Sequence, residues 1–162
     1  MRNGTASTRM FTLTCAVLAF TGLLAVGGSA LASDEAGTIK TLKGTASVER
    51  SGQKTLAVLG DKVMVSDRIQ TGPESSLGIT LRDNTLLSAG ANSTLVLNRF
   101  VFDSTTHAGA LDATVKRGTL AVVSGKIAKA SPDNVIFNTP SVALGVRGTE
   151  FIIDAGQRDG DK

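Results

Sequence analysis

The chain has 162 residues, with 17 Lys and Arg, 14 Asp and Glu, and no Trp or Tyr. This length is enough for one domain with a buried core. Because the basic residues are not clustered and stacking aromatics are scarce, the composition excludes the usual pattern of a nucleic-acid-binding protein.

The first 32 residues predict a secretory signal peptide. Arg2 and Arg9 precede an apolar run over 10–26, and the small residues 29–32 form a cleavage site of the A-x-A kind. We therefore expect cleavage after residue 32 and an exported, periplasmic product in an envelope of the Gram-negative type. The alternative is a retained inner-membrane anchor, because the apolar run over 10–28 approaches the length that spans a bilayer.

Cleavage would change the composition of the protein. It would remove Cys15, the only cysteine, together with two basic residues, and leave 15 basic against 14 acidic side chains. Lipid attachment at Cys15 is disfavoured because the apolar run continues past it. Disulfides and thiolate metal sites are then excluded, so stability has to come from packing and backbone hydrogen bonds.

After a short leader at 33–37, the chain consists of brief extended runs separated by glycine and polar turn residues. No stretch has sustained helical periodicity, so we predict an all-β domain over 38–154 and a flexible C-terminal tail over 155–162. The predicted strands lie at 39–42, 46–49, 62–65, 68–70, 76–81, 86–87, 94–102, 113–115, 120–123, 135–137, 142–144 and 151–154.

Two of these strands also carry a prediction about burial. In 76–81 the residues Leu77, Ile79 and Leu81 alternate with small polar residues, which is typical of a strand with one buried face. In the segment 94–102, apolar residues occur at both odd-numbered and even-numbered positions, and so on both faces of a strand. This pattern indicates a central strand or one stacked between layers.

A triplet of a basic residue, Gly and Thr occurs three times, at 43–45, 117–119 and 147–149. The unequal intervals do not describe a regular array. A corner that recurs at the start of strands suits coils stacked as a β-solenoid, in which each coil covers the apolar face of its neighbour. A β-sandwich has similar glycine-containing corners between its strands, and the residues alone do not distinguish the two folds.

No group of residues predicts catalysis, a cofactor or a metal site. The tetrad 51–54 has the S-x-x-K form of some acyl-transfer enzymes, but it lies in an apparent hairpin turn without the accompanying elements. Asp61, Asp67 and Asp83 lie beside turns, where Asp commonly binds its own backbone. His107 is the only histidine and lies in a polar loop. We therefore predict a non-enzymatic protein.

The C-terminal segment 138–154 is the most distinctive part of the chain. Two short apolar runs flank a junction whose glycines would permit a positive φ or a close backbone approach. The guanidinium group of Arg147 could clamp carbonyls or a carboxylate, although a structural corner is the favoured interpretation. The residues that we single out as a signature and possible partner contact are Thr139, Pro140, Gly145, Arg147, Gly148, Thr149 and Phe151.

This pattern resembles the core signature of the FecR domain family, exported bacterial domains best known from transmembrane regulators of iron-uptake signalling. Upstream, the segments 44–48, 59–61, 67–72 and 76–85 follow the order found in the family, so the resemblance covers roughly residues 37–154. The resemblance implies a small β-solenoid-like domain and favours that fold over the sandwich.

The chain departs from the well-known family members in ways that affect its expected role. Those members carry a cytoplasmic segment that holds a sigma factor and a transmembrane helix before the exported domain, so that role is not carried over. We predict a non-catalytic binding or scaffold module of the cell envelope that acts through protein–protein contact. The alternative is a periplasmic sensor that works with a separate membrane regulator.

The last predicted strand, 151–154, has no returning strand after it, although the family usually has one. It is therefore expected to have an unpaired edge, which proteins normally cover or blunt. Either the chain is a truncated product, or a partner adds a strand near 149–154. The chemical identity of a ligand cannot be inferred from these residues.

Overall fold

The computed structural model describes residues 35–145 and 150–156, of which 59% lie in strands. The strands of this part of the chain are β1 (Glu35–Lys43), β2 (Ala46–Arg50), β3 (Gln53–Leu56), β4 (Lys62–Met64), β5 (Arg68–Thr71), β6 (Ser76–Leu81), β7 (Leu86–Ala89), β8 (Thr94–Phe102), β9 (Gly109–Arg117), β10 (Thr119–Val123), β11 (Val135–Asn138), β12 (Ala143–Gly145) and β13 (Glu150–Asp154). The helices are α1 (Lys126–Ala130) and a 3-10 turn at Pro132–Asn134.

The strands form two open sheets. The six-stranded sheet has the order β13-β10-β7-β6-β1-β4, and the seven-stranded sheet has the order β12-β11-β9-β8-β5-β2-β3. Among the described strands, only β9 and β11 pair in parallel, and all other pairs are antiparallel. The prediction of a β fold is confirmed. The preference for a β-solenoid is not confirmed. Coils stacked in one direction would pair their strands in parallel, whereas all but one of the described pairs are antiparallel.

The core is a single cluster of apolar side chains contributed by both sheets. Leu77, Ile79 and Leu81 of β6 are all buried, which confirms the predicted alternation. Strand β8 pairs with β5 and β9 on its two sides, so the prediction that it is central is confirmed. Its two faces differ, however, since Leu97 is buried and Val101 is 52% exposed.

The ends of the domain differ from the predicted boundaries. Strand β1 begins at Glu35, within the segment that the sequence predicts as a leader, because Ala36 is fully buried in the core. The signal peptide falls outside the described residues, as does most of the predicted tail. At the start of that tail, the Ala155 N–H donates to the Gly118 carbonyl at 2.9 Å, and the Gly118 N–H donates to the Gly156 carbonyl at 3.1 Å.

Strand β3 and helix α1 were not predicted. Helix α1 is five residues long and buries Ile127, a single apolar contact that is too little to produce a periodic sequence signal. No helix in 35–145 or 150–156 is long and apolar enough to cross a bilayer.

Candidate functional site

The signature begins at an exposed turn between β11 and β12. The Thr139 N–H donates to the Val142 carbonyl at 2.7 Å, and the Val142 N–H donates to Thr139 Oγ1 at 3.0 Å. Pro140 and Ser141 form the tip of this turn, where the fixed φ of proline favours the bend. The threonine hydroxyl therefore closes the turn, which gives Thr139 and Pro140 a local structural role.

From this turn the chain passes from one sheet to the other. Strand β12 is an edge strand of the seven-stranded sheet, and β13 is an edge strand of the six-stranded sheet. Residues 146–149 connect these two edges. Arg147, Gly148 and Thr149 lie outside the described residues. The strands before and after them belong to different sheets.

Gly145 is the last residue of β12 and lies on an exposed edge strand. Its backbone does not adopt a positive φ, and a Cβ placed on it would meet no described atom within 4 Å. The described residues therefore give no reason for glycine at this position.

Phe151 joins the two sheets. It extends inward from β13 and meets Phe137 of β11 edge to face, with the ring centroids 5.4 Å apart and an angle of 73° between the planes. Phe137 is fully buried, and Phe151 is partly buried against the core. This member of the signature therefore anchors β13 to the core.

The two described basic-Gly-Thr triplets are corners where the chain changes sheet. Residues 43–45 connect β1 to β2, and residues 117–119 connect β9 to β10. Gly44 has a φ of 73° and Gly118 a φ of 80°, a conformation that side chains with a Cβ rarely adopt. The expectation that these triplets form corners at the start of strands is confirmed for both.

Each corner is held by a second turn that the sequence analysis missed. The Thr45 N–H donates to Ser75 Oγ at 3.0 Å, and the Thr119 N–H donates to Ser93 Oγ, also at 3.0 Å. Both serines end a Gly-x-x-Ser turn, at 72–75 and 90–93. The shared spacing was visible in the sequence, but its pairing with the triplets was not.

The geometry of the two Gly-x-x-Ser turns is also shared. Glu74 and Asn92, the third residue of each turn, have φ values of 50° and 49°. The Gly72 N–H donates to the Thr45 carbonyl at 2.8 Å, and the Gly90 N–H donates to the Thr119 carbonyl at 3.0 Å. Two hairpins therefore bend from one sheet into the other in the same way. In each hairpin, one strand bends at a basic-Gly-Thr corner and the paired strand bends at a Gly-x-x-Ser turn.

Strand β13 presents an accessible edge next to the signature. Among the described residues it pairs only with β10, in the register Thr119↔Asp154 to Val123↔Glu150. Its outward side chains are Glu150, Ile152 and Asp154, and Ile152 is 74% exposed. The edge of β13 therefore carries one exposed apolar side chain between two carboxylates.

The sequence profile of FecR protein matches residues 67–161. The chain belongs to the FecR protein family. FecR proteins have signalling and regulatory roles of the iron-uptake type, act through protein–protein contact and are linked to the periplasmic side of the envelope. Comparisons with curated proteins and with solved structures gave no match. The part of the resemblance that falls on 37–66 lies outside the matched range.

The S-x-x-K tetrad, which precedes the matched range, lies at a hairpin turn. Ser51 and Gly52 have φ values of 51° and 80° and connect β2 to β3. Lys54 Nζ donates at 2.8 Å to Gln70 Oε1 on β5, which lies two strands away in the sheet, so the lysine is engaged away from the serine. The arrangement gives no support to nucleophilic catalysis.

The three aspartates singled out in the sequence bind backbone groups, as their positions beside turns predict. Asp61 Oδ2 accepts from the Val58 N–H at 2.8 Å, and Asp67 Oδ2 accepts from the Met64 N–H at 2.8 Å. The described residues contain no group of three or more His, Cys, Asp and Glu side chains that could hold a metal ion.

Asp83 fixes the start of α1 as well as its own turn. Its carboxylate accepts from the Thr85 N–H at 3.0 Å and from Thr85 Oγ1 at 2.7 Å. The Ile127 N–H donates to the same carboxylate at 3.3 Å, and the Gly125 N–H donates to Thr85 Oγ1 at 3.0 Å. This fully buried carboxylate is therefore a structural tether between the β6–β7 turn and the helix.

His107 and its loop are solvent-exposed, as predicted. The His107 ring stacks on Phe102 with the centroids 6.3 Å apart. In the same loop, N–H groups of Thr105 and Thr106 donate to Asp103 and hold the pKa of that carboxyl below its usual value. These contacts order the loop.

Asp67 forms a bidentate ion pair with Arg50. Arg50 Nε and Nη2 donate to its two oxygens at 2.8 and 2.7 Å, which raises the pKa of Arg50. The Asp67 side chain is fully buried, whereas that of Arg50 is 47% exposed. The pair fastens the end of β2 to the turn before β5.

Replacing Asp67 with asparagine is expected to lower the free energy of unfolding by about 2–3 kcal/mol. An amide nitrogen would face N–H donors where an oxygen now accepts. The matched control is Glu49→Gln, because Glu49 contacts Arg68 at 3.6 Å and both side chains are partly exposed to solvent. That change should cost less than about 1 kcal/mol. Urea denaturation measures both variants, and equal losses would contradict a structural role specific to Asp67.

A cavity of about 460 Å³ opens beside the β2–β3 hairpin, near the start of β4. Its lining includes Arg50 and Lys62. Arg50 is bound to Asp67, and Lys62 Nζ contacts Glu35 Oε1 at 2.7 Å. Because these cations are already paired, we assign no ligand to the cavity.

Proposed function

We propose that this FecR-family chain is an exported, non-catalytic periplasmic protein whose partner adds a β-strand to β13. The observation that carries the proposal is the edge of β13, which pairs with β10 on one side within the described residues. A strand added there would bind through main-chain hydrogen bonds and would gain specificity from alternate side chains. The signature residues 146–149 would then connect the docking strand to the other sheet.

The side chains of β13 indicate the chemistry of the added strand. Directly opposed residues on neighbouring strands interact, with opposite charges and apolar pairs favourable and like charges unfavourable. Since Glu150 and Asp154 flank Ile152, the preferred partner strand has an apolar residue between two basic residues at alternate positions. The anchoring of Phe151 against Phe137 would hold β13 in place while the partner binds.

The proposal is tested by a photo-crosslinking amino acid placed at residue 152 in the native host. The matched control is residue 56, because Leu56 is 75% exposed and also lies on an edge strand, β3 of the other sheet. We expect a protein partner to be cross-linked from position 152 and not from position 56. Equal labelling from both positions, or none from 152, would refute strand addition at β13.

The intact mass of the cross-linked protein shows whether the N-terminal segment has been cleaved in the form that binds the partner. A mass that begins at residue 33 supports the periplasmic binding module. An uncleaved chain in the inner membrane instead supports the alternative, a sensor that works with a separate membrane regulator.

A further inference from the structure

The outer face of the six-stranded sheet has an uncharged centre, an acidic rim on β13 and a rim on β1 and β4 where Lys40, Lys43 and Lys62 outnumber Glu35. The central residues that face outward are small or apolar: Thr80, Gly78 and Ser76 on β6, Leu86 and Ser88 on β7, and Thr119, Ala121 and Val123 on β10. We call this surface, with the outward residues of β1, β4 and β13, the six-strand face. Leu86 is 43% exposed and Val123 38% exposed, so apolar surface is accessible at its centre.

The two rims of the six-strand face lie in the same rows of the sheet. One row runs from Glu150 through paired residues of β10, β7, β6 and β1 to Lys62 on β4. A second row lies four residues further along β13. It starts at Asp154 and ends at Lys43, which pairs with Ser76. Each row thus has an acidic residue at one end and a basic residue at the other.

The outer face of the seven-stranded sheet is different. Asn98 Nδ2 donates to Asp112 Oδ1 at 2.7 Å, and Asn138 Nδ2 donates to the same oxygen at 2.9 Å. Glu49 and Arg68 form an ion pair on this face. These polar groups are bonded to one another, and exposed apolar side chains such as Val101 and Ile136 also lie on strands of this sheet. The six-strand face differs in that its charges are separated at opposite rims.

We propose that the six-strand face binds a second copy of this chain, related by a two-fold axis parallel to the strands. This rotation exchanges the two edges of the sheet but keeps each row in place. Because Lys43 lies on β1 and Lys62 on β4, one axis superposes only one of the two pairs. With Asp154 of one copy over Lys43 of the other, Glu150 lies one strand spacing, about 4.8 Å, from Lys62 and within reach of its long side chain. A two-fold axis across the strands would instead place the acidic rim over itself, which like charges oppose. The charge pattern therefore selects both the occupant and its orientation.

Of the two ion pairs, the one between Asp154 and Lys43 is the better probe. Lys62 already contacts Glu35 at 2.7 Å, so its charge is partly balanced within the chain. Asp154 Oδ1 accepts from the Gly156 N–H at 2.8 Å, which leaves its other oxygen for a contact. Because the interface is two-fold symmetric, each pair occurs twice, and its effect on the affinity is doubled.

The size of the six-strand face predicts a weak dimer. Five strand spacings and four residues of strand length give a contact of roughly 25 by 15 Å, or about 400 Å² per copy. Stable interfaces of standard size bury about 800 Å² per partner. We therefore expect a dimer that dissociates in the micromolar range or weaker, and that weakens further as salt screens the ion pairs.

Sedimentation of the purified protein at increasing concentration tests the proposal by charge reversal and rescue. We expect Lys43→Asp and Asp154→Lys each to weaken dimerisation about tenfold or more. The double variant K43D/D154K restores the opposite charges and should recover most of the affinity. Lys54→Asp, on the outer face of the other sheet, is the control and should leave dimerisation unchanged.

The rescue separates an interface from simple misfolding, because a folding defect in the single variants would not be repaired by combining them. Thermal unfolding of each variant, measured alongside, checks that Asp154→Lys does not act through its bond to Gly156. A monomer at all concentrations, or a double variant as weak as the single variants, would overturn the proposal. Lys43 lies on β1, away from the edge of β13, so failure here leaves the strand-addition proposal standing.

Discussion

Replacing Gly118 with alanine is expected to lower the free energy of unfolding by about 3–4 kcal/mol. Gly118 has a φ of 80°, and an added Cβ would lie 2.3 Å from Ser93 Oγ and 2.6 Å from Ser93 Cα. The hydroxyl could rotate away, but it would then lose the bond from the Thr119 N–H. The Cα could move only with the whole turn that holds the corner, so the clash cannot be relieved locally.

Gly145→Ala is the matched control for this change. Gly145 has no positive φ and nothing described lies within 4 Å of an added Cβ, so the change should alter the free energy of unfolding by less than about 0.5 kcal/mol. Urea denaturation followed by circular dichroism measures both variants. If Gly145→Ala were as damaging as Gly118→Ala, the assignment of the corner glycine as the structurally required one would be wrong.

Replacing Phe137 with alanine is expected to cost about 3–5 kcal/mol of unfolding free energy. Phe137 is fully buried, and its ring meets Phe151 edge to face across the two sheets. Its removal would leave a cavity and would also take away the contact that anchors β13. Hydrogen exchange of the β13 amides should therefore accelerate more than exchange in β6, whose partners on both sides are retained.

Two further variants separate the cavity from the contact between the rings. Ile136→Ala changes the next residue on the same strand, but Ile136 is 37% exposed, so we expect a loss of about 1 kcal/mol or less. A double-mutant cycle of Phe137→Leu and Phe151→Leu should give a coupling of about 0.5–1.5 kcal/mol. The absence of coupling would mean that the two rings contribute independently and that β13 is held by other contacts.

The parts of the fold that could be predicted from the sequence depend on local patterns. The alternation of Leu77, Ile79 and Leu81 identified a half-buried strand, and the Gly-Thr corners were visible because left-handed glycine conformations recur in short motifs. The hairpin turn at Ser51 and Gly52 was likewise readable from its composition. Each of these features involves only a few consecutive residues.

The parts that could not be predicted depend on pairing between distant segments. The Gly-x-x-Ser turns bind corners 26 and 30 residues away in the chain, and no local pattern encodes which corner each serine meets. For the same reason the choice between stacked coils and two open sheets was not decided by strand propensity. The short helix α1 is fixed by the carboxylate of Asp83, 44 residues before Ile127.

The candidate site was located by sequence but only partly explained by it. Thr139 closes a turn and Phe151 anchors a strand, roles that depend on neighbours brought together by the fold. Gly145 was singled out for a conformational reason that its backbone does not bear out. The exposed Ile152 on β13 was not singled out, although its position between Glu150 and Asp154 was visible.

The paired corners also determine how the protein can come apart. Each bent hairpin contributes one half of its length to each sheet, so β1 and β6 pair in one sheet while β2 and β5, their continuations, pair in the other. Peeling either sheet away would require both arms of a hairpin to separate from their partners at once. We therefore expect the two layers to gain and lose their structure together, as one cooperative unit.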